Sequence, residues 1–500
     1  MSKIKGKVIL DAFMGDSPLW YKQGVLFALL LNPVLLYGIG GHLGEVVTGW
    51  VILVEFIGTL ALALSCYPLI PGGLLAIEAT VMGLVKPEGI YHEVEANLEV
   101  ILLLLFMVAG IHFMKDLLSW IFSKLLTGIR SKILLSLTFT FAGAFLSAWL
   151  DALTVTAVMI AVAIAFYNIY TTASLDERAP NLQLPEETRQ EAARKDFEQF
   201  SGFLRNLMMH GVVGTALGGM ATQVGEPQNL IIASQMGWDF IEFFLRMAHV
   251  SIPILMVGLL TTILVEWLKI AGYGYQMPEA VRQILVKDAQ KTAAEMDGNK
   301  RWAILIQALA GIWLVIALAL HLAEVGLIGL SVVIILTTAL GKTHEDTIGH
   351  AFEEATPFTS LLVVFFVIVG MIEHIHLFEP VIKAALQTKG ELQPYMFFAF
   401  SGILSAISDN VFVGTIYIKQ AVAALGTESL QVSNVAVAIN VGTNIPSIAT
   451  PNGQAAFLFL LTNAIAGRIK LSYLRMVIMA MPYFVLLLIT CLVFLTWHWI

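Results

Sequence analysis

Asp151 and Asp409 are the residues around which any chemistry of this chain must be organised. Each stands in the middle of an apolar block, in the strings SAWLD (147–151) and SAISD (405–409). No Lys or Arg lies near either one in sequence; Lys419, at the far end of its block, comes closest. A lone ionised carboxylate at bilayer depth costs at least about 2.5–3.5 kcal/mol even on the lenient insertion scale. It must therefore take a proton, a cation or a basic side chain, and the sequence offers no basic side chain. Desolvation disfavours the charged form of a carboxyl group, whereas a bound cation favours it. One group then holds H⁺ or a cation but not both, which is the simplest chemistry for exchange. A protonated aspartate that merely caps a helix is the bland alternative, and the recurrence of the same string in both blocks weighs against it.

Oxygen donors accompany the acids. Asn410 follows Asp409 directly, and two Gly-rich stretches, GTALGGMATQVGEPQN (214–229) and GTNIPSIATPNGQ (442–454), interrupt apolar runs. Unwinding a helix frees carbonyls and half-helix ends, and carbonyl and hydroxyl oxygens suit a hard cation. Thr222, Glu226, Asn229, Asn444, Thr450 and Asn452 are the candidate contributors, against the alternative that any one of them is a satisfied polar core residue. Glu226 adds a third carboxylate beside Asn229, although its place in the sequence also allows a position near a membrane surface.

The two sets are in the same order. Asp151 precedes Gly214-Thr215, Ala221-Thr222 and Gly225; Asp409 precedes Gly442-Thr443, Ala449-Thr450 and Gly453. The aspartate-to-Gly-Thr distance is 63 residues in the first copy and 33 in the second. The surplus matches a polar insertion between residues 171 and 200. Paired interrupted segments in corresponding positions are the best sequence pointer to a transporter's site.

The elements that must position these residues are membrane spans. Hydrophobic residues make up 58% of the chain and charged residues 13%, with mean hydropathy +0.82, values that exclude a soluble protein of this length. Apolar runs of about 20 residues recur throughout, long enough to cross roughly 30 Å of hydrocarbon and too long for β-barrel strands. Eleven transmembrane helices are predicted, near 23–41, 47–65, 69–85, 98–118, 203–232, 248–270, 301–322, 324–341, 355–376, 434–464 and 473–498. Two further blocks, 132–170 and 395–424, read as re-entrant hairpins with the aspartate at the tip; two short full spans each are the alternative. With hairpins that enter and leave on one side, 23 of the 28 Lys and Arg residues fall on the face of the N-terminus and 5 on the other. Positive charge marks the cytoplasmic face, so the N-terminus is expected in the cytoplasm and the C-terminus outside. Five spans separate the hairpins, which makes the two repeats inverted, the arrangement expected for alternating access.

The expected organisation is an all-α polytopic membrane protein in four parts. Residues 1–46 form a cytoplasmic lead-in and the first span. Residues 47–270 form the first repeat, with its hairpin near 132–170 and a broken helix near 203–232. Residues 271–300 form a cytoplasmic linker. Residues 301–500 form the second repeat, with a hairpin near 395–424 and a broken helix near 434–464. The lead-in lacks the short apolar region and small-residue cleavage site of a removable signal peptide. The polar segments 171–200 and 271–300 suit short surface helices.

Other candidates are weaker. Cys66 and Cys491 lie near opposite ends of the chain in apolar settings and indicate no disulfide framework. Glu55 and Glu78 are kept as members of a proton path; Glu99, Glu266 and Glu324 read as interfacial. Glu373, His374 and His376 cluster on the outer side, where solvated side chains are the simpler reading than a metal site. No H-E-x-x-H, Walker loop, G-x-S-x-G or dinucleotide fingerprint occurs in a suitable context, so neither an enzyme nor ATP-driven pumping finds support. Nothing points to a nucleic-acid partner.

At these residues the chain resembles the NhaB family of bacterial sodium/proton antiporters. The likeness covers nearly the whole chain and is strongest in SCYPLIPGGLLAIEA (65–79), ANLEVILLLLFMVAG (96–110), LSAWLDALTV (146–155), VVGTALGGMATQVGEPQNLIIA (212–233), HLAEVGLIGLSV (321–332), and the ISDNVFVGTIYI and NVGTNIPSIATPNGQAAFLFLLT runs. It implies membership of the ion transporter superfamily, with inverted repeats, two re-entrant hairpins, two broken helices and commonly a homodimer. Dicarboxylate/sodium members of that superfamily carry Ser-Asn-Thr at the hairpin tips. Here the matching positions are Leu150-Asp151-Ala152 and Ser408-Asp409-Asn410, and acids there fit a cation and disfavour an anion. The resemblance thus implies exchange of cytoplasmic Na⁺, or Li⁺, for external H⁺ across a bacterial inner membrane, with Na⁺ at Asp151 and Asp409, a periplasmic C-terminus and no cofactor. Carriers of arsenite or dicarboxylate in the same superfamily are the alternative within the class; a passive channel and a non-transporting membrane sensor are the rivals outside it.

Overall fold

The structure, a computed structural model, describes residues 11–173, 185–388, 390 and 392–495, and among these residues every regular element is helical. The lead-in up to residue 10, residues 174–184 of the first polar segment and residues 496–500 lie outside the described residues. Among the described residues seven helices are long and apolar enough to cross a membrane: Leu19–Ile39, Gly41–Ala61, Ala152–Thr172, Phe240–Leu268, Gly298–Ala319, Thr356–His374 and Tyr473–Phe494. An eighth candidate is the pair Pro87–Ala96 and Leu98–His112, bent by 62° and carrying a π-helical stretch at Leu103–Met107. The chain is therefore a polytopic helical membrane protein.

Four shorter apolar helices, Leu69–Val81, Lys132–Ser147, Val325–Ala339 and Asn410–Leu425, complete the apolar set. Both blocks that carry an aspartate are helix–link–helix units. The first consists of Lys132–Ser147 and Ala152–Thr172, the second of Leu392–Ser405 and Asn410–Leu425. Ala152–Thr172, at 21 residues, reaches spanning length by itself.

Each interrupted run breaks where its Gly and Pro residues fall. The first comprises Glu186–Gly219, an irregular stretch, and Pro227–Met236. The second comprises Leu430–Asn444, a 3₁₀ turn at Pro446–Ala449, and Ala455–Thr462. The 34-residue helix Glu186–Gly219 shows one departure from the sequence reading. Its polar start was expected as a separate surface helix, yet it runs without interruption into the apolar part. Strong helix formers such as Glu, Ala, Arg and Lys occupy its opening turns, and no proline separates the two parts. The other polar segment does contain a short helix, Glu279–Ala294.

In both halves the first arm of the helix–link–helix unit packs along the first part of the interrupted helix: Lys132–Ser147 on Glu186–Gly219, and Leu392–Ser405 on Leu430–Asn444. Small residues line these contacts and let backbones approach, as is usual for helices packed within a membrane.

A buried polar network clamps the base of the first unit. Glu266 Oε1 accepts from Lys132 Nζ at 2.9 Å and lies 2.7 Å from His210 Nε2. His210 Nδ1 is 2.7 Å from the Tyr483 hydroxyl, which is 2.9 Å from Thr262 Oγ1. The network joins four helices, three of them directly at the Glu266 carboxylate. Glu266, expected at an interface without a special role, is a structural centre.

Candidate ion-binding site

Asp151 and Asp409 are the N-caps of the second arms. Asp151 Oδ2 accepts from Thr154 N at 3.1 Å and Thr154 Oγ1 at 3.4 Å. Asp409 Oδ1 accepts from Val411 N at 2.8 Å and Phe412 N at 3.3 Å. These hydrogen bonds gather on one oxygen of each carboxylate. Asp is a favoured cap because it satisfies the unpaired N–H groups of the first turn, and the positive end of the helix supports its charge. The capping role and an ion-binding role are therefore compatible: the cap fixes the orientation of the carboxylate and leaves its other oxygen for a ligand.

The sequence-matched residues make matched contacts. Thr222 Oγ1 donates to the Ala148 carbonyl at 2.5 Å, and Thr450 Oγ1 donates to the Ala406 carbonyl at 2.5 Å. A Cβ on Gly225 would lie 2.7 Å from the Ser147 carbonyl oxygen, and one on Gly453 would lie 2.7 Å from the Ser405 carbonyl oxygen. In each half, then, the break in the long helix grips the link that carries the aspartate, through one threonine hydroxyl and one glycine. Glycine is needed because any side chain would push the break off the link.

Both aspartates line one cavity of about 410 Å³, together with Tyr67, Thr154 and Asn452. Its walls are otherwise largely apolar, and Glu354 lines it where Lys115 (2.5 Å) and His112 (3.5 Å) hold that carboxylate. Outside the spans, His112 first and then Lys115 keep the Glu354 carboxyl down to about 2, against the smaller opposing effect of burial. Among the described residues no basic group bears on Asp151 or Asp409, whose surroundings are burial and local hydrogen bonds. Lys419 pairs instead with Glu93 and, at 3.6 Å, with Glu373. Glu226 is buried within the protein and lies within electrostatic range of both aspartates.

Uncommitted amide oxygens surround these acids. Asn229 Nδ2 donates to the Gly219 and Thr222 carbonyls at 2.7 and 2.6 Å, which leaves Oδ1 without a partner. Asn452 Nδ2 donates to the Ala61 carbonyl, again leaving Oδ1 free. The buried Asn410 side chain lies beside the Glu226 carboxyl, and no closer hydrogen bond holds either of its polar atoms. Buried polar atoms are paired in the great majority of cases, so these unpartnered oxygens are available to a ligand. Asn444 differs: Nδ2 donates to the Asn440 carbonyl at 2.8 Å, and Oδ1 accepts from Gln228 Nε2 at 3.2 Å. It joins the two interrupted helices.

Asp151, Asp409 and Asn452 thus share one cavity, and Glu226 lies within reach of both acids. Thr222, Thr450 and Asn229 hold the surrounding backbone. Sequence reading missed Gln228, which lies inside the quoted GEPQN string, and Tyr67, whose role depends on a distant packing contact. Gln454, which closes the quoted GTNIPSIATPNGQ string without being a candidate there, donates through Nε2 to the Asn444 carbonyl and Ser447 Oγ at 2.8 Å each. Among the described residues no three His, Cys, Asp or Glu side chains are grouped to hold a metal ion, and this applies equally to Glu373, His374 and His376. A cation at the two aspartate-bearing links would therefore draw on amide and carbonyl oxygens as well as carboxylates.

The family model described as bacterial Na⁺/H⁺ antiporter B (NhaB) matches residues 1–498. A Na⁺/H⁺ antiporter NhaB of Klebsiella pneumoniae subsp. pneumoniae is 54% identical over 485 residues, covering 96% of this chain and 93% of the relative. Those of Teredinibacter turnerae (55% over 481 residues, 95% of each chain) and Marinomonas sp. (53% over 487 residues, 95% of each) are similarly close. With a whole-chain family match and full-length relatives on this scale, the chain belongs to the bacterial Na⁺/H⁺ antiporter B family.

Proposed function

We propose that this protein exchanges cytoplasmic Na⁺, and also Li⁺, for external H⁺ by alternating access, with Asp151 and Asp409 as the carboxylates for which the ions compete. One observation carries the reading: two acids from different halves of the chain line a single cavity, and among the described residues neither has a basic partner. Protonation neutralises them in one leg of the cycle and Na⁺ does so in the other. Asn410, Asn229 and Asn452 supply neutral oxygens to the cation, Thr222 and Thr450 hold the tips, and Asn444 couples the two breaks. Glu226 is a third proton acceptor that has a neutral counterpart, Gln454, in the second half. Acids at both tips disfavour the anionic cargo of a dicarboxylate carrier.

The matched contacts of Thr222 with Thr450 and Gly225 with Gly453 support two repeats, and the Lys and Arg distribution supports their inversion, with the N-terminus cytoplasmic and the C-terminus periplasmic in a bacterial inner membrane. In that frame Glu354 and Thr462 lie at the cytoplasmic mouth of the cavity, so the molecule is in its inward-facing state. The assembly is a homodimer, as the family resemblance implies. Everted vesicles carrying an imposed proton gradient test the reading: Na⁺ should dequench a pH-sensitive dye, and arsenite or dicarboxylates should not. A channel would dissipate the gradient without Na⁺ coupling, and a sensor would leave it untouched.

A further inference from the structure

A second pair of acids lies outside the cavity just described. Glu55, on Gly41–Ala61, and Glu78, on Leu69–Val81, both accept from the side chain of Asn32 on Leu19–Ile39: Asn32 Nδ2 is 2.9 Å from Glu55 Oε2 and 2.8 Å from Glu78 Oε2. An amide nitrogen has two hydrogens, and both are used. Two oxygens bonded to one nitrogen sit within roughly 6 Å of each other, so the two carboxylates face one another across a single neutral group. No basic residue figures among the influences on either glutamate; each feels burial and Asn32, and Glu55 also feels Glu78.

The third oxygen is the second sign of a ligand. Asn32 is fully buried in the middle of its helix, and its Oδ1 has no hydrogen-bond partner. On the amide that touches both acids, that orphan lies beside them by covalent geometry. A separate cavity of about 170 Å³ reaches Glu55, is lined also by Tyr21 and Thr59, and shares no residue with the cavity at the aspartates. Two like charges a few ångströms apart in a poorly solvated place do not both remain ionised unless positive charge arrives.

We propose that Glu55, Glu78 and Asn32 form a second binding site for one positive charge, a proton or a small alkali cation, in a part of the chain separate from the exchange site. A proton converts one carboxylate to the acid, and the remaining carboxylate keeps its bond to Asn32. An alkali cation would take one oxygen from each glutamate and Asn32 Oδ1. The inference does not rest on the roles given to Asp151 and Asp409.

The test is difference infrared spectroscopy on purified full-length protein, titrated with acid and separately with NaCl against choline chloride. The background variant is Asp151→Asn/Glu226→Gln/Asp409→Asn, which removes the acids of the exchange site. The carboxyl spectrum of that background should keep a component that disappears when Glu55→Gln and Glu78→Gln are added. Gln retains an oxygen that accepts from Asn32, so folding should survive; size-exclusion and thermal unfolding check this, and the single Glu55→Gln and Glu78→Gln variants, each expected to alter the signal, serve if the pair does not fold. Acid response with no Na⁺ response identifies the ligand as a proton, and loss of the acid signal on adding Na⁺ identifies an alkali cation. A background protein whose acid and Na⁺ spectra are unchanged by removing either glutamate would overturn the proposal.

Discussion

Asp151 and Asp409 cap equivalent helices in the two halves of the chain and line the same cavity. Capping gives each carboxylate a fixed direction, so a passing ion meets groups that need no reorganisation. Among the described residues no basic group bears on either carboxyl, which is why the proposed exchange has their neutralising positive charge come and go.

The two threonine clamps give the first prediction. Thr222→Val and Thr450→Val each remove a hydroxyl-to-carbonyl bond and leave a buried carbonyl without its donor, at a cost of about 1–3 kcal/mol. Both should raise the KM for Na⁺ several-fold in proteoliposomes, while Thr→Ser at either place should restore it. Equal behaviour of the two positions is the point of the measurement, because their contacts are the same.

Gly225→Ala and Gly453→Ala form a matched pair of a different kind. The added Cβ would stand 2.7 Å from the Ser147 or Ser405 carbonyl oxygen, and at Gly225 also 2.3 Å from that of Gly219. Backbone cannot swing aside as a side chain can. Exchange should fall below detection in both variants, with reduced yield of folded protein by size-exclusion.

The Lys132–Glu266–His210 cluster makes a prediction about stability instead of transport. Removing one partner of a buried ion pair typically costs about 3–5 kcal/mol. Glu266→Gln, which leaves Lys132 without its carboxylate, should lower the Tm well below that of the parent protein. The KM for Na⁺ of the fraction that remains folded should stay near the parent value.

Competition fixes the sign of the pH dependence. As pH falls, protons occupy the tip carboxyls, so the apparent KM for Na⁺ should rise while the rate at saturating Na⁺ changes much less. Glu354 should not contribute to that profile. Its carboxyl, held at about 2 by His112 and Lys115, is ionised throughout the working range. A carboxyl lowered on folding stabilises the protein above its ordinary value near 4.5, and that contribution is lost as pH falls from there towards 2. Glu354→Gln should therefore alter acid unfolding in that window and leave the shape of the pH profile of exchange as it was.

The sequence disclosed what is local and repeated. The SAWLD and SAISD strings, the two Gly-Thr signatures and the glycines that follow them lie close together along the chain, and the helices end and restart at those residues. Contacts between distant segments were not legible. Nothing beside Glu266 announces Lys132 or His210, which come from helices far away in the chain, and nothing around Asn32 reveals that it holds two glutamates. The length of Glu186–Gly219 is hidden for another reason: composition changes sharply from polar to apolar within one unbroken helix, and composition alone does not mark where an element ends.

The central claim is that the same carboxylates hold either H⁺ or Na⁺, and proton release on Na⁺ binding measures it most directly. Purified protein in weakly buffered solution near neutral pH should release protons when NaCl is added and none when choline chloride is added. Asp151→Asn/Asp409→Asn, which keeps capping residues at both helices, should remain folded and lose most of that release. Undiminished Na⁺-driven proton release from the folded double variant would contradict the account.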